Sequence, residues 1–292
     1  MKIAVTGTSG LVGYDVWHTL KESHEVWGIG RRKPDFVPMT QWRTVDISDA
    51  EQTAKIVTQI NPDCLIHCAA LSNPDDCAMD PVTAYKANAI GTRNLALACQ
   101  RFDTEMVYVS SDQVFNGKKK SPYTELDKPD PVNLYGVSKL WGERFVQQLL
   151  SRWYVVRTAL VFGAARPTFV DKVAAAAISG EKMTSATNIV NSPTYSKDLA
   201  QALAHLIEKH IYGTYHIVNE GNCSRYELSV FIAESLGRKP GFIRKGKLTN
   251  LNLKAKRPGY TPMENFVWNL NDFPKMRTWQ ESVLSFLEEK PE

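Results

Sequence analysis

Tyr135 and Lys139 stand four positions apart in the run Tyr135-Gly136-Val137-Ser138-Lys139. On a helix that spacing places both side chains on one face. A lysine ammonium beside a phenol favours the phenolate and draws the phenol pKa down from ~10 toward neutrality. Such a tyrosine can protonate a carbonyl oxygen as a hydride arrives, or deprotonate an alcohol in the reverse direction. A hydroxyl is available to hold the substrate oxygen: the apolar run Met106 to Ser110 delivers Ser110-Ser111-Asp112 at its end. A Tyr-x-x-x-Lys pair alone arises by chance on many helices. Here it is joined by a serine at a strand end and by a third feature, a glycine turn, and the combination points to catalysis.

That turn is Gly7-Thr8-Ser9-Gly10-Leu11-Val12-Gly13. It follows the β-branched run Ile3 to Thr6 and precedes a helical pattern from Val12 to Lys21. Glycines let the backbone turn sharply and approach a pyrophosphate, and the following helix presents unpaired N–H groups to it. Strand-then-helix is the context that separates a dinucleotide site from a plain glycine turn. The second strand ends at Ile29-Gly30-Arg31-Arg32, where an acidic residue would accept from a ribose 2′-hydroxyl. Two arginines suit a 2′-phosphate instead, which favours NADP, with NAD as the alternative. Read otherwise, Arg31 and Arg32 are two solvated surface charges. Asp46-Ile47 ends the next short strand beside the expected adenine, and Ala69-Ala70-Leu71 forms a small-residue floor beside the cofactor.

The elements that must position these groups alternate. Short β-branched runs at Ile3 to Thr6, Glu25 to Ile29, Cys64 to Cys68, Met106 to Ser110 and Trp153 to Thr158 are separated by helical stretches. These are Val12 to Lys21, Ala50 to Ile60, Pro81 to Phe102 and Gly136 to Leu150. The fold class that follows is α/β: a Rossmann-type, doubly wound parallel sheet covered by helices on both faces. Beyond about residue 160 the rhythm loosens. Helices are expected at Pro167 to Ser179, Ser196 to His210, Arg225 to Leu236 and Lys275 to Glu288. A basic loop is expected from Lys245 to Arg257. Residues 1–160 form the dinucleotide-binding domain, with a strand near Gly213 to Val218 returning to its sheet. Residues 161–292 form mainly a smaller substrate-binding lobe over the carboxyl ends of the strands.

Bulk properties agree. The chain has 292 residues, 43% hydrophobic and 23% charged, a globular balance, and a net charge of +4 that suits an anionic small molecule without calling for nucleic acid. Lys118-Lys119-Lys120 is a solvated turn in this reading. Cys64, Cys68, Cys77, Cys99 and Cys223 are odd in number and lack paired spacing, so no disulfide framework is expected. His67 and Cys68 are neighbours on a buried strand and point to opposite faces, so no metal site is assigned. No basic-then-apolar leader and no run of ~20 apolar residues is present, which makes the cytoplasm the expected location, away from membranes.

At these residues the sequence resembles an extended short-chain dehydrogenase/reductase, and more narrowly the dTDP-4-dehydrorhamnose reductase family. The likeness runs over nearly the whole chain. It is carried by Gly7 to Gly13, His67 to Ala70, Asn88 to Thr92, Val109 to Gly117, Tyr135 to Lys139, Val156 to Thr158, Gly213 to Asn219 and above all Ser192-Pro193-Thr194-Tyr195 followed by Asp198-Leu199-Ala200. The resemblance makes Ser111, Tyr135 and Lys139 catalytic. Gly10 to Val12, Asp46-Ile47 and Ala69 to Leu71 become cofactor contacts, and Asn88 becomes structural. It implies reduction of the 4-keto group of a dTDP-linked 6-deoxysugar, a late step in making dTDP-L-rhamnose. Its divalent ion finds no ligand cluster here.

The chain departs from the family pattern where the sugar should sit. Gln113 stands for the usual tyrosine and Leu160 for the usual aromatic, so two flat surfaces for a sugar ring are absent. Asp112 remains. Arg257-Pro258 survives, and Arg257 is a candidate partner for the substrate pyrophosphate through charge-assisted bonds. Another nucleotide-sugar reductase, an epimerase and a non-catalytic dinucleotide-binding subunit stay open as alternatives, as does a homodimer.

Overall fold

The computed structural model describes residues 1–247, 249 and 253–289. Part of the basic loop expected from Lys245 to Arg257, namely 248 and 250–252, lies outside them.

Strand and helix alternate from the first residues: β1 (Lys2–Thr6), α1 (Leu11–Leu20), β2 (Glu25–Gly30), β3 (Trp42–Thr44), α2 (Ala50–Ile60), β4 (Cys64–His67), α3 (Pro74–Met79), α4 (Pro81–Tyr85), α5 (Gly91–Arg101), β5 (Glu105–Ser111), α6 (Leu134–Leu149) and β6 (Trp153–Thr158). The second half adds β7 (Val161–Phe162), α7 (Phe169–Ser179), β8 (Met183–Ala186), β9 (Val190–Asn191), β10 (Thr194–Tyr195) and α8 (Ser196–Lys209). These are followed by β11 (Gly213–His216), β12 (Cys223–Ser224), α9 (Arg225–Ser235), β13 (Ile243–Gly246), α10 (Phe266–Leu270) and α11 (Trp279–Glu289).

Seven strands form one parallel sheet in the order β11-β6-β5-β4-β1-β2-β3. The order reverses between β1 and β4, and ligands of open α/β sheets bind at the carboxyl ends of such a pair. One face packs α1 and α8 against Ile3, Val5, Ile66, Val107 and Val156. The other packs α2, α5 and α6 against Ala4, Leu65, Met106 and Val155. Because successive strand residues point to opposite faces, these apolar runs serve both layers.

Helix α8 shows why a segment after residue 160 belongs to the first core. Leu199, Leu203, Leu206 and Ile207 recur at helical spacing and are fully buried in the cluster with β1, β4 and β5. Each such burial stabilises by roughly 1.5–3 kcal/mol. The lobe has its own core of Phe162, Val170, Val173, Tyr195, Leu228, Ile232, Val283 and Phe286. Three two-stranded ribbons, β7–β10, β8–β13 and β9–β12, frame it.

One local departure bears on the site. Pro81 to Phe102 reads as a single helix, but between α4 and α5 the chain takes a π turn over Lys86–Ile90. Asn88, in that turn, accepts from Leu71 N at 2.8 Å and donates to Leu71 O and Ser138 Oγ at 3.0 and 2.9 Å. The wider turn swings this asparagine inward to tie the post-β4 loop to α6.

Candidate active site

A cleft of about 1350 Å³ runs along the carboxyl ends of the strands, above the ~300–1000 Å³ usual for one small ligand. Every residue named from the sequence as a candidate catalytic, cofactor or substrate contact lines it. Gly7, Gly10, Leu11, Val12 and Gly13 form its floor, and Arg31, Arg32, Asp46 and Ile47 one end. Ala69, Ala70 and Leu71 form a side, and Ser111, Asp112, Gln113, Tyr135, Lys139, Leu160 and Arg257 the other end and roof.

The glycine floor is built for close approach. Gly7 has φ +72°, and a Cβ there would lie 2.7 Å from Ala69 N. A Cβ on Gly13 would lie 2.3 Å from the Gly7 carbonyl oxygen. Gly10 caps α1 without a side-chain bond to the helix's first amides, so those donors and the positive helix end face the cleft. A dinucleotide pyrophosphate fits this cradle, and Arg31 and Arg32 stand exposed where an adenosine phosphate would lie. Asp46 is occupied in its own turn, accepting from the Ser48 amide and hydroxyl, which with Arg31 nearby hold its carboxyl below the usual range.

At the chemical end, Asn133 caps α6 by accepting from Gly136 N at 2.8 Å, so Tyr135 falls in the first helical turn. Gly136 is required there, since a Cβ would come within 2.0 Å of the Gln113 carbonyl oxygen. Tyr135 is buried, and the Ser111 hydroxyl is hydrogen-bonded to its phenol. Lys139, one turn on, donates to the Val109 carbonyl at 2.7 Å and lies 4.1 Å from the centre of the Tyr108 ring.

The charge states differ from the sequence expectation. Burial, with Asp112 and Cys77 acting in the same direction, pushes the Tyr135 phenol above its ordinary value, and the Ser111 bond opposes this. Burial pushes Lys139 down to about 7, against the pull of Glu143 and Cys68. The phenol therefore stays above its ordinary value although Lys139 shares its helical face, and the lysine ammonium donates to the Val109 carbonyl. The result is a protonated phenol beside Ser111, the state of a proton donor.

Asp112 sits behind Ser111. It is pushed up by burial and accepts from Ser111 Oγ at 3.0 Å, Asn191 Nδ2 at 3.0 Å and Thr261 Oγ1 at 2.5 Å. Gln113 accepts from Asn133 Nδ2 at 2.9 Å through its side chain. Leu160 takes φ +40°, a conformation that costs a non-glycine residue roughly 1–2 kcal/mol. Arg257 lines the cleft but is engaged, donating to Asp75 at 3.1 Å and to the Ala255 carbonyl at 2.8 Å. His67, read from the sequence as a core residue, is held between Thr6 and Thr92 at 2.6 and 3.0 Å.

Sequence reasoning passed over Arg225 and Asn191. Arg225 opens α9, with its guanidinium 4.8 Å from the centre of the Phe169 ring, and burial pushes it down to about 10 while Asp112 pulls it back. Asn191 Oδ1 is buried with no hydrogen-bond partner. The one local signal was Ser224-x-x-Glu227, a capping box that announces a helix starting at Arg225 but not where its side chain goes. Among the described residues no group of three or more His, Cys, Asp or Glu side chains could hold a metal ion. None of their helices is long and apolar enough to cross a membrane.

Residues 1–291 match the family model described as the RmlD substrate binding domain. The chain belongs to that family. Its relatives include the spore coat polysaccharide biosynthesis protein SpsK of Bacillus subtilis, 30% identical, with 99% of this chain and 98% of the relative covered. A dTDP-4-dehydrorhamnose reductase of Mycobacterium tuberculosis is 30% identical, covering 98% of this chain and 92% of its own. Among solved structures, a dTDP-4-dehydrorhamnose reductase from Bacillus anthracis in complex with NADP superposes with a TM-score of 0.90 at 31% identity over 99% of both chains. A Thermus thermophilus UDP-glucose 4-epimerase complex with NAD, 21% identical, shares the fold with a TM-score of 0.86.

Proposed function

We propose that this chain is an NADPH-dependent reductase of the 4-keto group of a nucleotide-linked 6-deoxysugar, as in dTDP-L-rhamnose formation. The observation that carries this reading is the buried Tyr135 phenol hydrogen-bonded to Ser111, in a cleft also lined by a glycine cradle and by Arg31 and Arg32. Bound NADPH supplies the hydride. Ser111 holds the ketone oxygen, Tyr135 gives that oxygen its proton, and Lys139 offsets the charge left on the phenol. Gly7 to Gly13 hold the pyrophosphate, with Asp46-Ile47 and Ala69 to Leu71 flanking the rest of the cofactor. Arg31 and Arg32 select the 2′-phosphate and so NADP over NAD. Residues 1–160 with β11 serve the cofactor, and 161–292 serve mainly the substrate. A cytoplasmic location, with no nucleic-acid or membrane partner, fits such an activity, and a homodimer is open to sizing in solution.

A second reading changes only the sugar. Gln113 and Leu160 offer no flat surface, whereas Arg225 and the unpartnered Asn191 Oδ1 place polar groups around Asp112. This favours a sugar nucleotide with an additional polar substituent. The test is NADPH consumption against dTDP-4-dehydrorhamnose and a panel of other 4-ketosugar nucleotides, with products identified by mass spectrometry. A flat trace throughout, despite measurable NADPH binding, would make the chain a non-catalytic dinucleotide binder. Cofactor retained through purification, with interconversion of sugar epimers, would make it an epimerase.

A further inference from the structure

Beneath Lys139, one turn further along α6, lies a second charged group that the reaction scheme leaves unused. Glu143 is buried, and its carboxylate is held on both oxygens. Arg157 of β6 donates from Nε to Oε1 at 3.0 Å and from Nη2 to Oε2 at 2.8 Å. Ser110 of β5 donates to Oε1 at 2.5 Å. Both holders adjoin cleft residues: Ser110 precedes Ser111, and Arg157 precedes Thr158. Buried pairs of this kind contribute little net stability, because desolvation offsets the attraction. Their placement therefore calls for another explanation.

We propose that Glu143 is a positioning residue for the reduction: pinned by Arg157 and Ser110 one helical turn from Lys139, its carboxylate keeps the Lys139 ammonium charged beside Tyr135. This role presupposes the reductase reading above. The groups facing Lys139 leave Glu143 as its charged neighbour. From the β4 end come His67, which burial holds neutral, and Cys68, whose thiol burial pushes up to about 12. From β5 comes Tyr108, also pushed up by burial. Tyr135 shares the helix and is a neutral phenol, and Cys77 of α3 and Asp112 face Tyr135. Glu143 raises the proton affinity of Lys139, and Arg157, paired with the same carboxylate at 2.8 Å, offsets part of its charge. Positions four apart on a helix are neighbours, so the distance is set by α6 itself.

The test reads the lysine directly. Lysine-selective 13C labelling, with Lys139→Met to assign the signal, follows the Lys139 titration by NMR with no substrate present. Glu143→Gln is expected to move that titration down by about one pH unit or more, and Arg157→Met to move it up, since an unscreened carboxylate favours the ammonium. The double variant Glu143→Gln/Arg157→Met leaves no orphan charge and folds even where a single variant does not. It is expected to titrate below the wild type and above Glu143→Gln. The high-pH limb of kcat/KM should move with the NMR titration while substrate KM stays put. Single variants that shift in the same direction, or a double variant that titrates as the wild type, overturn the role of Glu143. Expected NMR shifts in a protein that reduces no ketosugar would instead overturn the reductase reading and leave the effect on Lys139 standing.

Discussion

Tyr135 holds its proton because burial disfavours the phenolate more than the Ser111 bond favours it. Replacing it with phenylalanine removes the proton donor and little else. Tyr135→Phe is therefore expected to lower kcat by ~10²–10⁴-fold, with NADPH affinity by fluorescence titration within about twofold of wild type. Lys139, pushed down to about 7, is charged below that pH and a neutral amine above it. Its help to the phenol is present on the acid side and lost as pH rises. The expected profile is a kcat/KM for ketone reduction that falls as pH passes upward through about 7, since this ratio reports the free enzyme. A plateau extending to pH 9 would contradict the assignment. Arg31 and Arg32 are exposed, so their contribution is to ligand charge and not to folding. Arg31→Ala/Arg32→Ala is expected to weaken NADPH binding by ~10–100-fold, the scale of one or two charge-assisted bonds. NADH binding by the same titration should change by less than about threefold.

At the scale of elements, the site depends on contacts that exclude side-chain atoms. The β1–α1 turn closes only because Gly13 lets the Gly7 carbonyl pass at a distance no Cβ tolerates; likewise α6 leaves room at Gly136 for the Gln113 carbonyl just after β5, and at Gly142 for the Tyr108 ring of β5. Gly13→Ala is expected to cost about 1–3 kcal/mol and to abolish the rise in Tm on adding NADPH, both read by thermal unfolding. Much of this was legible in the sequence, because glycine spacing and the alternation of β-branched runs are local signals. The π turn at Lys86–Ile90 was not. Its cause is the bonding of Asn88 to Leu71 and Ser138, partners distant in sequence. Nor was the direction of Lys139, which is decided by a carbonyl on another element.

At the scale of the molecule, the two halves are interleaved. The face of α8 lies in the core of the main sheet, β11 extends that sheet, and Ser196 at the start of α8 donates to Asp15 of α1. Asp198 of α8 pairs with Arg277 at 2.7 Å, and Asn219 bonds both Asp198 and the Arg277 carbonyl. Neither half can lose its structure without exposing the other's core. Calorimetry is expected to show one cooperative transition, with calorimetric and van't Hoff enthalpies agreeing. Two separated transitions would contradict a shared core.

Taken by itself, the sequence determined the class of fold and singled out Gly7 to Gly13, Ser111, Tyr135 and Lys139, which line one cleft. Hydrophobic period, glycine spacing and helical offset are properties of neighbouring residues. Tertiary structure alone decided that Arg225 and Asn191 stand beside Asp112 and that Arg257 is engaged by Asp75. It also decided that Glu143 is clamped behind the lysine and that the phenol keeps its proton. Those outcomes depend on burial and on partners brought together from distant positions, and no local pattern encodes how much water a site excludes.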